Sequence, residues 1–177
     1  SLYHAMNLAI NETFDYNTIF INSGDEFSNF ESLKYIKSNL KKNKCLIFQT
    51  KIINKCKEFF PKKNFFLSEK YMPHPSFVRP PVLKIKHKKY FNSNLKIAAD
   101  GEWMKENIRL FGYKKIPIPI SNFYTGGFST NPTFKSIKVQ YDYNLKEGFK
   151  EAAKFMLFKI FKSNYFNVIF NNKFYTN

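Results

Sequence analysis

Apolar residues recur at helical spacing from the start of the chain. Leu2, Met6, Ala9 and Ile10 share one face, so residues 2 to 11 read as a short amphipathic helix. The β-branched and aromatic run from Tyr16 to Asn22 then stops at Ser23-Gly24-Asp25, the pattern of a buried strand emptying into a tight loop. Ser28 with Glu31 three residues on has the form of a capping box, and Phe30, Leu33 and Ile36 continue the period, predicting a helix over 30 to 41. Cys45 to Thr50 is a second strand pattern, and strand, helix and strand in alternation predict an α/β fold. Residues 51 to 72 are Lys-rich with scattered Phe and no clean period, which predicts irregular or hairpin structure.

Prolines crowd the next segment, Met72 to Pro81, and each fixes its own φ and restrains its predecessor. A structured loop entering an edge strand is expected there. Leu95 to Ala99 leads into Asp100, after which Trp103, Asn107, Leu110 and Phe111 trace one helical face until Gly112. Asp100 is thereby placed near a helix N-terminus. Ile116, Ile118 and Ile120 alternate with Pro117 and Pro119, a strand pattern that the prolines confine to a sheet edge. Thr125-Gly126-Gly127 breaks it. From Leu145 to Phe170, Phe149, Ala153, Met156, Leu157, Ile160 and Phe161 lie on one side, with Lys146, Lys150, Lys154 and Lys162 largely on another, predicting a basic amphipathic helix.

With 177 residues and 44% hydrophobic content the chain carries enough apolar surface for one cored unit. Its net charge of +16 implies an anionic partner: nucleic acid, an anionic membrane surface or a phosphorylated substrate. Arg79 and Arg109 are the only arginines, and readers of bases and phosphates favour the guanidinium over lysine, so nucleic acid is not the expected partner. An AT-rich coding sequence would also enrich Lys, Asn, Ile, Phe and Tyr together. Cys45 and Cys56 form neither a disulfide framework nor a zinc pattern, which suits a reducing, cytoplasmic setting. No apolar run approaches the roughly 20 residues that span a bilayer, so attachment to the inner face of the plasma membrane, where it occurs, is expected to be peripheral.

Taken singly, the acidic loops are ordinary: a Gly-Asp after a strand is most often a turn, and an Asp at a helix start is most often a cap. Their order carries more. Ser1-Leu2-Tyr3-His4-Ala5-Met6-Asn7 followed by Ile19-Phe20-Ile21-Asn22-Ser23-Gly24-Asp25 resembles the pattern of family 2 glycosyltransferases, a helix of the form G-(I/L)-Y-D-A-M-N and then a strand ending in N-(A/S)-G-D. Pro73-His74-Pro75-Ser76-Phe77, Ile97-Ala98-Ala99-Asp100 and Gly126-Gly127-Phe128-Ser129 resemble, in order, three further motifs of the members that build capsular, colanic-acid-like and other surface polysaccharides.

The resemblance implies a partial GT-A fold: a Rossmann-like mixed sheet with flanking helices, residues 1 to 135 supplying metal, acceptor and catalytic-base positions, and 136 to 177 forming the basic helix and tail. It implies an inverting transfer of a sugar from a nucleotide diphospho-sugar to a glycan or lipid-linked acceptor. Asp25 matches the residue that holds a divalent cation, Mg²⁺ or Mn²⁺, against the donor diphosphate, and Asp100 matches the general base. Ser23 stands where an Asp-x-Asp motif would have its first Asp, leaving one strong ligand. Asn22, Ser23, Gly24, His74, Gly126 and Gly127 are the expected substrate contacts, with Glu102 a second carboxylate and Tyr124 an aromatic that could stack on a sugar.

Simpler roles stand beside these. His74 could brace the Pro-rich loop, the glycines could serve a turn alone, and Trp103 at helical spacing is expected in the core. His4 departs from the family's Asp. The resemblance covers the second half of the family's domain, so the chain is expected to be part of a longer enzyme or a truncated, inactive product. The competing class is a basic protein binding nucleic acid or a membrane through Lys and aromatic residues.

Overall fold

The computed structural model describes residues 1–40, 43–54, 57–82, 88–95, 99–125, 137–139 and 173–176, together with 142, 145, 149, 152, 153, 155 and 156. Helix α1 spans Leu2–Thr13, two residues longer than its pattern predicts, and buries Tyr3, Met6 and Ile10 along one stripe. The Ser1 hydroxyl caps it by accepting from the His4 N–H at 3.3 Å. Beyond it the expected strand over Tyr16 to Asn22 does not form: the chain makes one antiparallel bridge, Thr18 with Arg79. The ladder cannot extend past Arg79 because Pro80 and Pro81 follow, and neither has an N–H to donate.

Strand β1 is Glu26–Phe27, and α2 is Ser32–Asn39, shorter than the expected 30 to 41. The predicted capping box is also absent. Glu31 makes no side-chain cap and pairs with Lys34 at 3.1 Å, while the Ser28 hydroxyl donates to the Pro119 carbonyl at 2.9 Å. Ser28 is spent on the sheet instead, its own N–H reaching the Ile120 carbonyl.

The remaining elements are β2 (Cys45–Asn54), β3 (Lys57–Pro61), α3 (Lys63–Leu67), a 3₁₀ turn over His74–Ser76, β4 (Phe77–Val78), α4 (Ala99–Phe111), β5 (Tyr113–Tyr124) and β6 (Phe174–Thr176). The strands form a mixed, six-stranded sheet among the described residues, ordered β1-β5-β2-β3-β6 with β4 also on β2. The β2–β5 pairing is parallel and the others antiparallel. The chain is therefore α/β, with helices on a mixed sheet. The Lys-rich stretch expected to be irregular or a hairpin begins as a hairpin, β2 pairing with β3 to Pro61, and then forms the short helix α3, which its lack of period did not predict, before an irregular segment from 68. The Pro-rich loop enters a short strand, β4, as expected.

Strand β5 corrects its prediction. It is not at the sheet edge but lies between β1 and β2. Its prolines are accommodated by broken register: opposite Phe48 stands Ile116, opposite Gln49 stands Pro119, and opposite Thr50 stands Ser121. The missing N–H groups of Pro117 and Pro119 fall where the ladder skips, so an internal strand tolerates them.

Period two along β2 divides the interior. Cys45 and Ile47 face a cluster with Tyr3, Met6, Ile10, Phe77, Phe91, Trp103 and Met104, drawn from α1, β4, α4 and the loop before α4. Leu46 and Phe48 face Ile36, Val78, Ile116 and Ile120 on the α2 side. Trp103 is in the core, as its spacing predicts, with its indole N–H donating to the Lys89 carbonyl. Leu145, Phe149, Ala152, Ala153, Phe155 and Met156 are helical; positions 157 to 170 of the predicted tail helix lie outside the described residues. Leu145, Phe149 and Met156 are exposed. Among the described residues no helix is long and apolar enough to cross a membrane.

Arg79 ties the loop after α1 to the sheet. It is fully buried, and its Nη2 donates to the Thr13 carbonyl at 2.9 Å and the Thr18 hydroxyl at 2.7 Å. Burial pushes its pKa down to about 10, against the opposing fields of Cys45 and Asp15. Arg79→Ala is expected to lower the unfolding free energy by about 3 kcal/mol and Thr18→Val by about 1 kcal/mol, read from urea denaturation. Equal effects would remove Arg79 as the anchor.

Candidate functional site

The motif Asn22-Ser23-Gly24-Asp25 closes as a turn, the Asp25 N–H donating to the Asn22 carbonyl at 2.9 Å. Gly24 sits at φ 93°, a conformation that L side chains rarely adopt, so the turn requires glycine there. Ser23 is exposed and Asp25 is intermediate in exposure. The Asp25 carboxylate has no hydrogen-bond or ion-pair partner among the described residues, and desolvation pushes its pKa up to about 6.

His74 opens the 3₁₀ turn and is buried, stacked on Phe20 at 6.2 Å and edge-on to Phe91. Asn22 Nδ2 donates to His74 Nδ1 at 3.4 Å, which leaves Nε2 to carry the ring proton. That Nε2 is buried and has no hydrogen-bond partner among the described residues. Burial lowers the His74 pKa, and the Asp100 carboxylate opposes the shift, so the ring stays neutral near pH 7.

Asp100 is the second residue of α4 and half-buried. Its charge also reaches Tyr3 on α1, whose phenol is pushed up to about 12, first by burial and then by that carboxylate. The residues leading into Asp100, 96 to 98, lie outside the described set.

His74 and Asp100 share a cavity of about 300 Å³, lined also by Phe65, Tyr71, Met72 and Phe123, with Lys70 and Phe174 at its wall. Its His74 side is fixed by a knot of buried hydroxyls. Thr50 Oγ1 donates to Ser76 Oγ at 2.8 Å, Ser76 and Ser121 meet at 2.5 Å, and the Tyr71 hydroxyl accepts from the Thr50 N–H at 2.8 Å. These groups lie at the broken register of β2 and β5 and satisfy polar atoms that a continuous ladder would have paired.

Asn22, His74 and Asp100 thus come together from three separate segments. Asp25 does not line the cavity. Glu102 lies one half-turn on from Asp100 along α4 and is absent from the lining. Tyr124 is exposed and donates to Glu26 Oε1 at 2.5 Å, so its hydroxyl is committed at the end of β5. With Asn122 it holds the Glu26 carboxylate below the usual range. Gly126 and Gly127 lie outside the described residues. Tyr3, Phe65, Tyr71, Phe123 and Phe174 were not singled out from the sequence as site residues. Only Phe123 adjoined a predicted contact, and Phe65 and Tyr71 lie in the stretch without a clean period, where nothing marks an aromatic as part of a site.

No group of three His, Cys, Asp or Glu side chains gathers for a metal among the described residues. A single desolvated, unpaired carboxylate beside a fixed turn still suits a hard cation whose other positions are filled by phosphate and water. No family model, curated protein or solved structure matches this chain.

The raised Asp25 pKa has a definite sign. The folded chain binds this proton more tightly than the unfolded chain, so the carboxylate's penalty appears as pH rises from 3.8 to about 6 and persists above. Asp25→Asn is expected to raise the melting temperature above pH 6 and to leave it nearly unchanged below pH 4. A difference independent of pH would contradict the desolvation at Asp25.

Proposed function

We propose that this chain carries the catalytic part of an inverting glycosyltransferase of the GT-A type. In this reading it moves a sugar from a nucleotide diphospho-sugar to a glycan or lipid-linked acceptor in the cytoplasm, in surface-polysaccharide synthesis. The observation that supports it is that His74 and Asp100, from two different segments of the motif series, line one cavity, with Asn22 of a third segment bonded to His74 behind it.

The acceptor occupies the cavity with one hydroxyl toward the Asp100 carboxylate. As that oxygen attacks the anomeric carbon, its bond to carbon forms, its proton passes to Asp100, and the bond to the diphosphate oxygen breaks on the opposite face. Configuration inverts. The proton becomes acidic as the bond forms, which is when a carboxylate can accept it. His74, held neutral with its proton on Nε2, supplies a hydrogen bond to the acceptor without neutralising the base. Phe65, Tyr71 and Phe123 exclude water from the acceptor and give a sugar ring apolar faces. Asp25 would hold a divalent cation, Mg²⁺ or Mn²⁺, which supplies Lewis-acid neutralisation of the departing nucleoside diphosphate.

Turnover of nucleotide sugars tests the base. Asp100→Asn is expected to cut turnover by about 10²- to 10⁴-fold with nucleotide binding unchanged, and retained turnover would remove Asp100 from the role. Calorimetric titration with UDP and GDP tests the cation site. Binding should require Mn²⁺ and be lost in Asp25→Ala. Salt-sensitive RNA binding indifferent to that change, in place of nucleotide binding, would favour the nucleic-acid class instead.

A further inference from the structure

The cavity opens beside a surface whose composition differs from the rest of the site. Helix α3 and strand β6 meet there, the Lys62 N–H donating to the Lys173 carbonyl at 2.8 Å. Phe65 of α3 packs edge-on to both Tyr71 and Phe174, with Lys173 Nζ 5.3 Å from its ring centroid. Around this aromatic seat Lys63, Lys70 and Lys173 are all exposed, and none of the three is in an ion pair among the described residues. Lys70 and Phe174 also line the cavity, so charged rim and cavity mouth are continuous.

Apolar groups are exposed on the same two elements. Leu67 at the end of α3 is 56% exposed and Tyr175 on β6 is 46% exposed. α3 turns Phe66 into the core, so Leu67 faces out for want of room on the inner side. The nearby carboxylates are directed elsewhere: Glu58 pairs with Lys51 at 3.1 Å, and Glu69 acts on Lys115.

We infer that the α3–β6 rim is a docking surface for an anionic lipid bilayer. The occupant is chosen by charge and by the apolar residues exposed on the same elements. Lysine ammonium groups act as point charges and need no bidentate geometry, which suits a field of lipid headgroups. Exposed Leu67 on α3 and Tyr175 on the edge strand β6 can enter the headgroup boundary, where an aromatic with a polar tip is favoured. Single-stranded nucleic acid fits less well: it calls for open ring faces, and the Tyr175 ring is already stacked on Phe60 at 5.7 Å. The docking does not depend on the transferase reading. Joined to it, it brings the cavity mouth to the bilayer and selects the lipid-linked acceptor over a free glycan.

The test is co-sedimentation of the full chain with vesicles of phosphatidylcholine, with and without phosphatidylglycerol. Binding is expected only with phosphatidylglycerol and should fall as salt rises. The triple variant Lys63→Glu, Lys70→Glu, Lys173→Glu should weaken partition by at least about tenfold. The matched triple Lys37→Glu, Lys105→Glu, Lys114→Glu, which makes the same change in net charge at exposed positions elsewhere, should weaken it far less. Leu67→Ser with Tyr175→Ser should weaken binding while leaving its salt dependence in place. Circular dichroism verifies that each variant is folded, and a variant that fails to fold is replaced by Lys70→Glu alone, for which a smaller loss is expected. Equal losses from the two triple variants, unchanged binding in the rim variant, or a rim that binds RNA but not phosphatidylglycerol vesicles would each overturn the inference. Vesicle binding and sugar transfer are separate readouts, so failure of one does not imply failure of the other.

Discussion

A buried guanidinium holds the site's first motif in place. The chain between α1 and β1 has almost no sheet hydrogen bonding of its own, and the Thr18–Arg79 bridge with the Arg79 side chain supplies most of what fixes it. Arg79 Nε and Nη1 are buried without partners among the described residues, a real cost in a medium of low dielectric. The same residue satisfies the carbonyl at the end of α1 and the Thr18 hydroxyl, and through them sets where Asn22 can meet His74. The Cys45 thiol sits near this charge yet is pushed up to about 12 by burial, so it behaves as a small apolar residue.

The second constraint is the break in register between β2 and β5. A parallel pair running without interruption from Cys45 to Ile53 would need donors that Pro117 and Pro119 lack. The skipped residues leave room and unpaired polar atoms, and Thr50, Ser76 and Ser121 fill that gap with mutual hydroxyl bonds. Ser76 belongs to the 3₁₀ turn that begins at His74. A defect imposed by two prolines is thus what seats the histidine against the sheet. Such a network is worth most when fully satisfied, and here each hydroxyl has a partner.

The sequence made some of this readable and hid the rest for physical reasons. Helices α1 and α4 were plain because their buried residues recur at helical period over three turns, and Asp100 could be placed at a helix start on that basis. β2 was plain as a short apolar run. The strand expected at Tyr16 to Asn22 failed because strand character depends on a partner, and Pro80 and Pro81 deny it one. The Ser28 cap failed because a hydroxyl near a bare carbonyl on β5 has a competing use that local pattern does not reveal. Asp25 was visible as a turn residue, but its desolvation was not, since burial is set by residues distant in sequence. Tyr3 and the aromatic wall of the cavity were invisible as site residues, because an aromatic reads alike in sequence whether it lines a core or a pocket.

The electrostatics of the cavity favour a division of labour over a shared proton. Two titratable groups feel Asp100, and both are held neutral: burial lowers the His74 pKa and raises that of Tyr3. Had His74 remained cationic, it would have formed an ion pair with Asp100 and stabilised the carboxylate against taking a proton. A neutral imidazole bound at Nδ1 by Asn22 can only donate from Nε2, so it can orient a hydroxyl without competing for its proton. Phe20, Phe91 and the proline turn enclose one histidine. The packing that buries His74 is the same packing that keeps its ring neutral beside the Asp100 carboxylate.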